Sequence, residues 1–292
     1  MQRSAFGQIV ASLRKECLDP YTGRPWTQTQ LAEATALSPR VIANLERGGR
    51  ATLEGEVLER LAAVFQLTML ERREFFALAV EADSAAVAPP VFTPEQAAEQ
   101  MLAVFANLHQ PAFLYDDYFD ILAANYAALT LHGIAPAWLH ALAEETGRPN
   151  FLHVIFAPDS PMRYSMQAGW QWLAQHNLHQ FRAMALRHRH TTRWNDLMAR
   201  LRTLPNFGGA WIAARGAQED FYSRLRMHEY VHAQYGELHY AVMAGTSYAL
   251  VDNLHLTTLL ALDAHTFEVF ASLHAQNGGR FLRWSLEVKA SQ

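Results

Sequence analysis

Apolar side chains in the first 82 residues recur every three or four positions, which is the spacing of amphipathic helices. The pattern runs through residues 6–13, returns at 58–65 and continues from 69 to 80. A stripe of this period faces a core along one side of a helix and leaves the other side to water. With two short helices between the first and second stripes, the pattern predicts a bundle of five helices that ends near Ala82.

The two short helices have clear start and stop signals. Thr27 is a good N-cap, and Gln30 three residues later completes a capping box that satisfies backbone donors at the helix start. Ser38 caps the second helix, with Pro39 at its first position, and Gly48 stops it. The sequence therefore predicts two capped helices that are joined by a tight bend.

The second short helix has a polar face that its core contacts leave free. Its apolar stripe is formed by Val41, Ile42 and Leu45. The face that remains displays Arg40, Asn44 and Arg47. Arginine pairs well with guanine and asparagine with adenine, so such a face suits a helix lying in a DNA major groove. We interpret the pair as a helix-turn-helix that binds double-stranded DNA; an ordinary pair of antiparallel helices is the alternative.

A wider set of positions supports this interpretation: Gln28, Leu31-Ala32, Ser38, Ile42 and Leu45-Glu46-Arg47-Gly48. They stand where the Cro/C1-type (XRE) helix-turn-helix family has its pattern, so the segment resembles that family. The resemblance implies a lambda-repressor-like domain in which Gln28, Ser38 and Arg47 contact phosphates and fix the register. Arg40 and Asn44 would face base edges.

Three neighbouring residues extend the predicted interface. Pro39 and Val41 would add apolar contacts, and Arg50, just beyond the helix, would add a phosphate contact. The predicted DNA-binding residues are therefore Gln28, Ser38, Pro39, Arg40, Val41, Asn44, Arg47 and Arg50.

The pattern changes after a small, proline-rich stretch at 83–93, which we interpret as a linker. A helix at 94–107 leads to two short apolar runs around Asp116-Asp117, which predict a hairpin. Helical segments follow through Thr203, with one more near residues 207–214. Beyond Gln218 the apolar period falls to two, which predicts three strands, at 222–233, 237–248 and 255–262.

Two strands, an inserted helical block and three antiparallel strands follow the order of a PAS-like sensor sheet. The predicted fold class is α+β. An all-α five-helix domain at 1–82 and the linker at 83–93 precede a PAS-like domain at 94–292. That domain is predicted to hold a five-stranded antiparallel sheet with a large helical insertion.

Further positions in both halves form a recognisable set: Leu67, Glu71-Arg72, Phe76-Ala77-Leu78-Ala79, Pro111-Ala112, Asp120-Ile121-Leu122-Ala123, Asn125, Ala127-Ala128, Arg148, Asn150, Phe156, Phe207, Trp211, Gly236 and Leu238. In these residues the chain resembles the MmyB-like transcription regulators, which join an XRE helix-turn-helix to a PAS-like ligand-binding domain. It departs from that family's pattern at Ala124 and at Ala233-Gln234-Tyr235. The resemblance implies a ligand-responsive regulator without naming the ligand.

Composition and charge fit a regulator with one dedicated DNA-facing surface. The whole chain carries a net charge of −4, whereas residues 1–50 carry 7 basic and 4 acidic side chains. A DNA-binding footprint is local, so the overall sign does not exclude it. Cys17 is the one cysteine, which excludes an intrachain disulfide and a cysteine-based zinc site. The sequence lacks a signal-peptide core and a long apolar run, so we expect a cytoplasmic protein without membrane contact.

One motif favours a different class of protein. Residues 228–232 match H-E-x-x-H, which on a helix holds zinc between two histidines with Glu as general base. The alternation around the motif has period two, and on a strand the two histidines would lie ~13 Å apart. We therefore predict no catalytic residue and no resident metal or cofactor. A zinc hydrolase that uses His228, Glu229 and His232 is the remote alternative.

A second histidine-rich run, Arg187-His188-Arg189-His190, lies in a predicted helical segment. Adjacent residues on a helix point in different directions, so the two histidines cannot share a metal ion there. We expect a basic, solvated helix face.

The predicted second domain, residues 94–292, is rich in aromatic and methionine side chains and contains six of the seven tryptophans. It has no cofactor-attachment signature, and its positive side chains are almost all arginine. We expect a bound elongated apolar molecule with one polar or acidic end, such as a fatty acid. The predicted ligand-binding residues are Phe113, Tyr115, Asn125, Phe151, Phe156, Phe181, Met184, Trp211 and Met243. A domain that only dimerises or docks a partner protein, with no ligand, is the alternative.

We also expect a homodimer. One small helix-turn-helix buries too little surface for tight operator binding, and a two-fold pair reads half-sites about one helical turn apart. Apolar surface on Phe75 and Phe76, or on the helix at 94–107, would supply the contact.

Overall fold

The computed structural model describes residues 2–49, 54–83, 93–146, 148–167, 169–216, 228–246 and 254–284. Its helices are α1 (Arg3–Glu16), α2 (Gln28–Thr35), α3 (Pro39–Glu46), α4 (Gly55–Val64), α5 (Met69–Asp83), α6 (Pro94–Phe105), α7 (Tyr126–Leu131), α8 (Pro136–Thr146), α9 (Phe151–Phe156), α10 (Pro161–Met166), α11 (Gly169–Met184), α12 (Thr192–Leu201), α13 (Phe207–Ala213) and α14 (Ala264–Asn277). Its strands are β1 (Ala112–Tyr115), β2 (Ile121–Asn125), β3 (His228–His232), β4 (Gly236–Thr246), β5 (His255–Ala261) and β6 (Phe281–Arg283). Among these described residues, no helix combines the length and the apolar character that crossing a membrane requires.

The chain folds into two compact units. The first unit comprises Met1–Ala88, Leu178–Thr203 and Gly208–Gln218. The second unit comprises Pro89–Asn177, Leu204–Phe207 and Glu219–Gln292. These units differ from the sequence domains that we drew at 1–82, 83–93 and 94–292, because two later stretches of chain belong to the first unit.

The first unit begins with the five predicted helices, α1 to α5, and the predicted bundle is confirmed. Among its fully buried side chains are Phe6 and Ile9 of α1, Leu31 of α2, Ile42 of α3 and Phe75 of α5. These residues occupy the apolar stripes that the sequence pattern assigns to the core.

The caps of α2 and α3 follow the sequence signals. Thr27 Oγ1 accepts a hydrogen bond from the Gln30 N–H at 3.2 Å, and Gln30 Oε1 accepts one from the Thr27 N–H at 2.8 Å. Ser38 Oγ accepts the Val41 N–H at 3.3 Å. Gly48 has a φ of 73°, and a Cβ there would lie 2.6 Å from the backbone of Ser4. Glycine therefore both ends α3 and permits the close approach of α1.

A later stretch of chain completes the core of the first unit. Leu186, in a short 3-10 helix over Ala185–His188, is fully buried in the same cluster as Phe6 and Phe75. The Gly216 N–H donates to the carbonyl of Gln66 at 2.9 Å. The expectation of a basic, solvated face at 187–190 is wrong at Arg189, which is 2% exposed and pairs with the buried carboxylate of Glu71.

The second unit is built on one antiparallel sheet with the strand order β3-β4-β5-β1-β2-β6. The predicted α+β class is confirmed, and the five predicted strands are present. A sixth strand, β6, pairs with β2. It was missed because three residues are too short to show a period of two. The sequence also predicts a turn at Asp252-Asn253, between the strands at 237–248 and 255–262, and this turn lies outside the described residues.

Candidate functional site

Helix α3 presents its polar face to solvent. Ser38, Pro39, Arg40 and Arg47 are exposed, and Asn44 is partly exposed at the middle of the helix. Among the described residues, the Arg40 side chain makes no hydrogen bond or ion pair, so its guanidinium is available to a base edge. Arg47 Nε donates to the carbonyl of Ala43 at 3.0 Å, which holds its side chain along the helix.

The remaining predicted contacts flank this face. Val41 and Gln28 are partly exposed. Arg50 lies outside the described residues. The side chain of Asn44 lies against the chain that follows α3, since a Cβ at Gly49 would come 2.0 Å from Asn44 Oδ1. Only glycine at that position leaves Asn44 in place.

A buried carboxylate holds the helices of the motif at a fixed angle. Glu46 Oε1 accepts a hydrogen bond from Arg14 Nε at 2.6 Å, and Glu46 Oε2 accepts one from Arg14 Nη2 at 3.0 Å. The same Oε2 accepts a hydrogen bond from Gln28 Nε2 at 2.8 Å. Arg14 also donates to the carbonyl of Trp26. Glu46 of α3 thereby joins α1 and the start of α2, and it fixes the orientation of Gln28.

A second buried carboxylate lies at Glu71 on α5. Arg182 Nη2 lies 3.0 Å from Glu71 Oε1, Arg189 pairs with the same oxygen, and the Thr68 N–H donates to Oε2 at 2.9 Å. Burial alone would raise the pKa of Glu71, but attraction to Arg182 and Arg189 outweighs it and lowers the pKa to about 2. Arg189 also pairs with Glu16 of α1 at 3.3 Å.

Three of the predicted ligand-binding residues, Phe181, Met184 and Trp211, lie in the first unit. The Phe181 ring stacks on Trp194 at 5.4 Å and meets Trp211 at 6.3 Å. The guanidinium of Arg182 covers the Trp211 ring at 4.3 Å. Met184 is only partly buried. In this unit these aromatic rings shield buried arginines, a role that the sequence did not indicate.

Three other predicted ligand-binding residues come together in the second unit. The rings of Phe113 and Phe151 lie 4.9 Å apart, and Tyr115 stacks on Phe151 at 6.0 Å. Phe119 joins them, 4.6 Å from Tyr115 and 6.4 Å from Phe151. Below, the aromatic cluster means Phe113, Tyr115, Phe119 and Phe151, all of which are buried.

Polar side chains border the aromatic cluster. Asp117 Oδ1 lies 2.6 Å from His255 Nε2, and both side chains are buried. The hydroxyl of Tyr115 hydrogen-bonds Thr257 Oγ1 at 2.7 Å. Burial raises the pKa of Tyr115 to about 12, despite the hydrogen bond to Thr257, so its hydroxyl stays protonated. His132 stacks beside Phe113 at 6.1 Å.

Sequence reasoning missed Asp117, Phe119, His132 and His255. One signal could have located His255, because β1 pairs with β5 in a register that sets Tyr115 opposite His255. Once the two strands are predicted as neighbours, this register places a histidine beside the tyrosine.

The other predicted ligand-binding residues lie elsewhere in the second unit. Asn125 Oδ1 accepts the N–H groups of Ala112 and Ala128 at 3.1 and 2.9 Å, and its Nδ2 donates to the carbonyl of Gln110 at 2.7 Å. Its amide therefore caps α7. Phe156 packs edge-on against two other rings, and Met243 is 53% exposed.

The H-E-x-x-H motif forms strand β3, as its alternation predicts. His232 Nδ1 accepts the N–H groups of Gln234 and Tyr235 at 3.0 and 3.1 Å. Its Nε2 therefore carries the proton and donates to the carbonyl of Leu131 at 2.6 Å. Burial lowers the pKa of His232, although the bond to Leu131 opposes this. Both ring nitrogens are engaged, which argues against a role in metal binding.

Two family models match the chain. The one described as MmyB-like transcription regulator ligand binding domain matches residues 94–273, more than half of the sequence. The chain belongs to the MmyB-like transcription regulators. A second model, described as Helix-turn-helix, matches residues 26–71. No curated protein is similar enough in sequence to count as a match.

The MmyB-like regulator is thus a DNA-binding transcription regulator with a ligand-binding domain. The match at 94–273 includes Leu178–Thr203 and Gly208–Gln218, which belong to the first unit with the helix-turn-helix. Part of the ligand-binding sequence is therefore built into the DNA-binding unit.

Proposed function

We propose that this MmyB-like regulator binds its operators as a homodimer, with α3 of each copy in a major groove. The exposed polar face of α3 supports this, because Arg40 and Asn44 have the side chains that read guanine and adenine. Pairing two copies supplies the surface that one small domain lacks. The helical repeat of DNA then sets the distance between the centres of the two half-sites at about one turn.

The dimer contact requires a surface other than Phe75. That ring is fully buried and packs on Phe6 at 5.1 Å, whereas Phe76 beside it is partly buried and packs against the same core. The helix at 94–107 remains the proposed contact, since Val104 on α6 is 54% exposed.

We further propose that the second unit senses an elongated apolar molecule with a polar end, such as a fatty acid. The aromatic cluster beside the buried Asp117–His255 pair carries this proposal. The rings would accept methylene groups, each of which contributes about 0.8 kcal/mol on burial. Tyr115 and His255 are the head-group partners that we propose. The strand order of the sheet supports the PAS-like description of this unit.

Ligand binding and DNA binding would be coupled through the stretch of chain that continues from the second unit into the first. A ligand shifts an equilibrium only when it binds two states with different affinity. Residues 178–203 follow directly from the second unit in sequence and belong to the first, so a ligand-dependent shift in this stretch would change the DNA-binding unit. We propose no catalytic activity and no required cofactor.

Operator binding with and without palmitate tests this function. Selection from random duplexes identifies the operator, and fluorescence anisotropy then gives its affinity for the full chain. We expect palmitate to change that affinity and to raise the melting temperature. Phe151→Leu should weaken the palmitate effect by removing a ring of the aromatic cluster. Met243→Leu is the matched control, because Met243 is exposed.

Solvent extraction and mass spectrometry of native protein provide an independent readout. Recovery of a lipid-like molecule supports the apolar ligand. If nothing lipid-like is recovered and palmitate changes neither operator affinity nor melting temperature, the second unit acts as a dimerisation or docking module instead.

A further inference from the structure

The second unit contains an open cleft outside the aromatic cluster, with a volume of about 440 Å³. It is lined by Arg163, Gln167, Trp170, Gln171 and Asn206. Its volume is near the lower end of small-molecule sites. Among the described residues of its lining, four are polar, and Trp170 supplies one apolar wall. This lining fits a small polar molecule better than a long hydrocarbon chain.

Arg163 supplies a cationic group with an unused edge. Its guanidinium carbon lies 4.0 Å from the centroid of the Trp170 ring. Its Nε and Nη2 are buried and have no hydrogen-bond partner among the described residues. These two nitrogens form one edge of the guanidinium, the fork that binds a carboxylate through two parallel hydrogen bonds. A buried charged donor is unfavourable until an acceptor meets it.

The indole of Trp170 holds this arrangement in place. Trp170 Nε1 donates to the carbonyl of Ile155 at 2.9 Å, which fixes the ring under the guanidinium. Stacking on the ring face restricts Arg163 without using its N–H groups. Arg163 therefore lines the cleft with its guanidinium held against the indole, and its fork meets no acceptor among the described residues.

Two residues of the cleft wall adopt backbone conformations that non-glycine residues rarely take. Gln167 has φ 46° and ψ −117°, and Asn206 has a φ of 65°. They come from separate stretches of chain, at the end of α10 and just before α13. Such conformations concentrate at ligand sites, where the surrounding structure holds them. Both place a side-chain amide at the cleft.

We propose that this cleft binds a small organic carboxylate, with the Arg163 fork on the carboxylate and Trp170 as the apolar wall. Gln167, Gln171 and Asn206 offer amide donors and acceptors to the rest of the molecule. This inference rests on the ligand-sensing function proposed for the second unit, but it does not depend on the apolar ligand. The two ligands would occupy different sites.

Benzoate is a suitable probe because it is a small planar carboxylate, and benzamide is its neutral counterpart of the same shape. Isothermal titration calorimetry of the full chain gives both affinities. The indole N–H resonance of Trp170, assigned with Trp170→Phe, reports the place of binding. We expect saturable benzoate binding that shifts this resonance, with benzamide at least tenfold weaker.

Substitutions of Arg163 test the fork. Arg163→Gln should weaken benzoate binding at least tenfold, and Arg163→Lys should restore it only in part, because lysine lacks the planar fork. Arg283→Gln removes the same charge from an exposed position on β6 and should leave binding unchanged. Melting temperatures of all variants show whether they fold.

Three results would overturn the proposal: equal affinity for benzoate and benzamide, unchanged benzoate binding by folded Arg163→Gln, or no saturable binding up to about 10 mM benzoate. The first and third use the native chain and remain decisive if a variant does not fold. Palmitate effects should persist in Arg163→Gln. If palmitate has no effect on the native chain but benzoate still binds, only the proposal of an apolar ligand is contradicted.

Discussion

The carboxylate of Glu71 lies 3.0 Å from the guanidinium of Arg182, and both side chains are almost completely buried. Glu71 ends the stretch that matches the helix-turn-helix model, whereas Arg182 lies within the match to the ligand-binding model. One buried ion pair thus joins the two family regions inside the first unit. Removing one partner of such a pair is costly because the other charge stays buried.

Glu71→Gln should therefore destabilise the first unit strongly. The substitution leaves Arg182 and Arg189 buried without their shared carboxylate, and we expect a loss of about 3–5 kcal/mol in the free energy of unfolding. Urea denaturation of the full chain measures it. Glu74→Gln is the matched control, because Glu74 pairs with Arg187 at 3.0 Å on a partly exposed surface. That change should cost less than about 1 kcal/mol.

The same carboxylate predicts a pH dependence. The pKa of Glu71 in the folded chain is about 2, below its ordinary value of 4.5. Ionised Glu71 therefore stabilises the fold above pH 4.5, and this contribution is lost as the pH falls towards 2. Between pH 4.5 and pH 2, the free energy of unfolding of the native chain should fall by about 3 kcal/mol more than that of Glu71→Gln. Parallel curves for the two proteins would contradict the assignment.

Glu46 should couple stability to DNA binding. Glu46→Gln replaces the charged acceptor that orients Arg14 and Gln28, and we expect a loss of about 2 kcal/mol in stability. Operator affinity should fall as well, although the variant is less negative. Glu33→Gln removes the same charge from an exposed site on α2 and should leave affinity equal or higher. A rise in affinity in both variants would exclude an orienting role for Glu46.

Gln167→Gly should stabilise the second unit. Glycine adopts the backbone conformation of Gln167 without strain, and we expect a gain of about 1 kcal/mol. Gln171 lies nearby in helix α11 and is also exposed. There, Gln171→Gly should cost about 1 kcal/mol. Thermal unfolding of the two variants checks the difference in sign.

The sequence specified the helix-turn-helix well because its signals are local. Thr27, Gln30, Ser38 and Gly48 act within one turn of their own helix, so their spacing alone predicts the caps. The buried carboxylates were not predictable in this way. Glu71 meets Arg189 across 118 residues of chain, and a hydrophobic period indicates which face is buried but not what covers it.

The ligand-binding prediction shows the same limit. Aromatic content pointed to Phe113, Tyr115 and Phe151, and the fold brings their buried rings together, but that they bind a ligand stays a prediction. Composition could not separate them from Phe181 and Trp211, which belong to the first unit. Nor could composition show that the side-chain amide of Asn125 caps helix α7.

Arg40 on α3 is proposed to read a base edge of the operator. The affinity of the Arg40→Ala variant for the operator tests this most directly. We predict a loss of about 1–3 kcal/mol in binding free energy, together with relaxed preference at one base pair. Arg73→Ala removes the same charge from an exposed position on α5 and should retain the preference. If Arg40→Ala binds with the affinity and base preference of the native chain, α3 does not read DNA in the way proposed here.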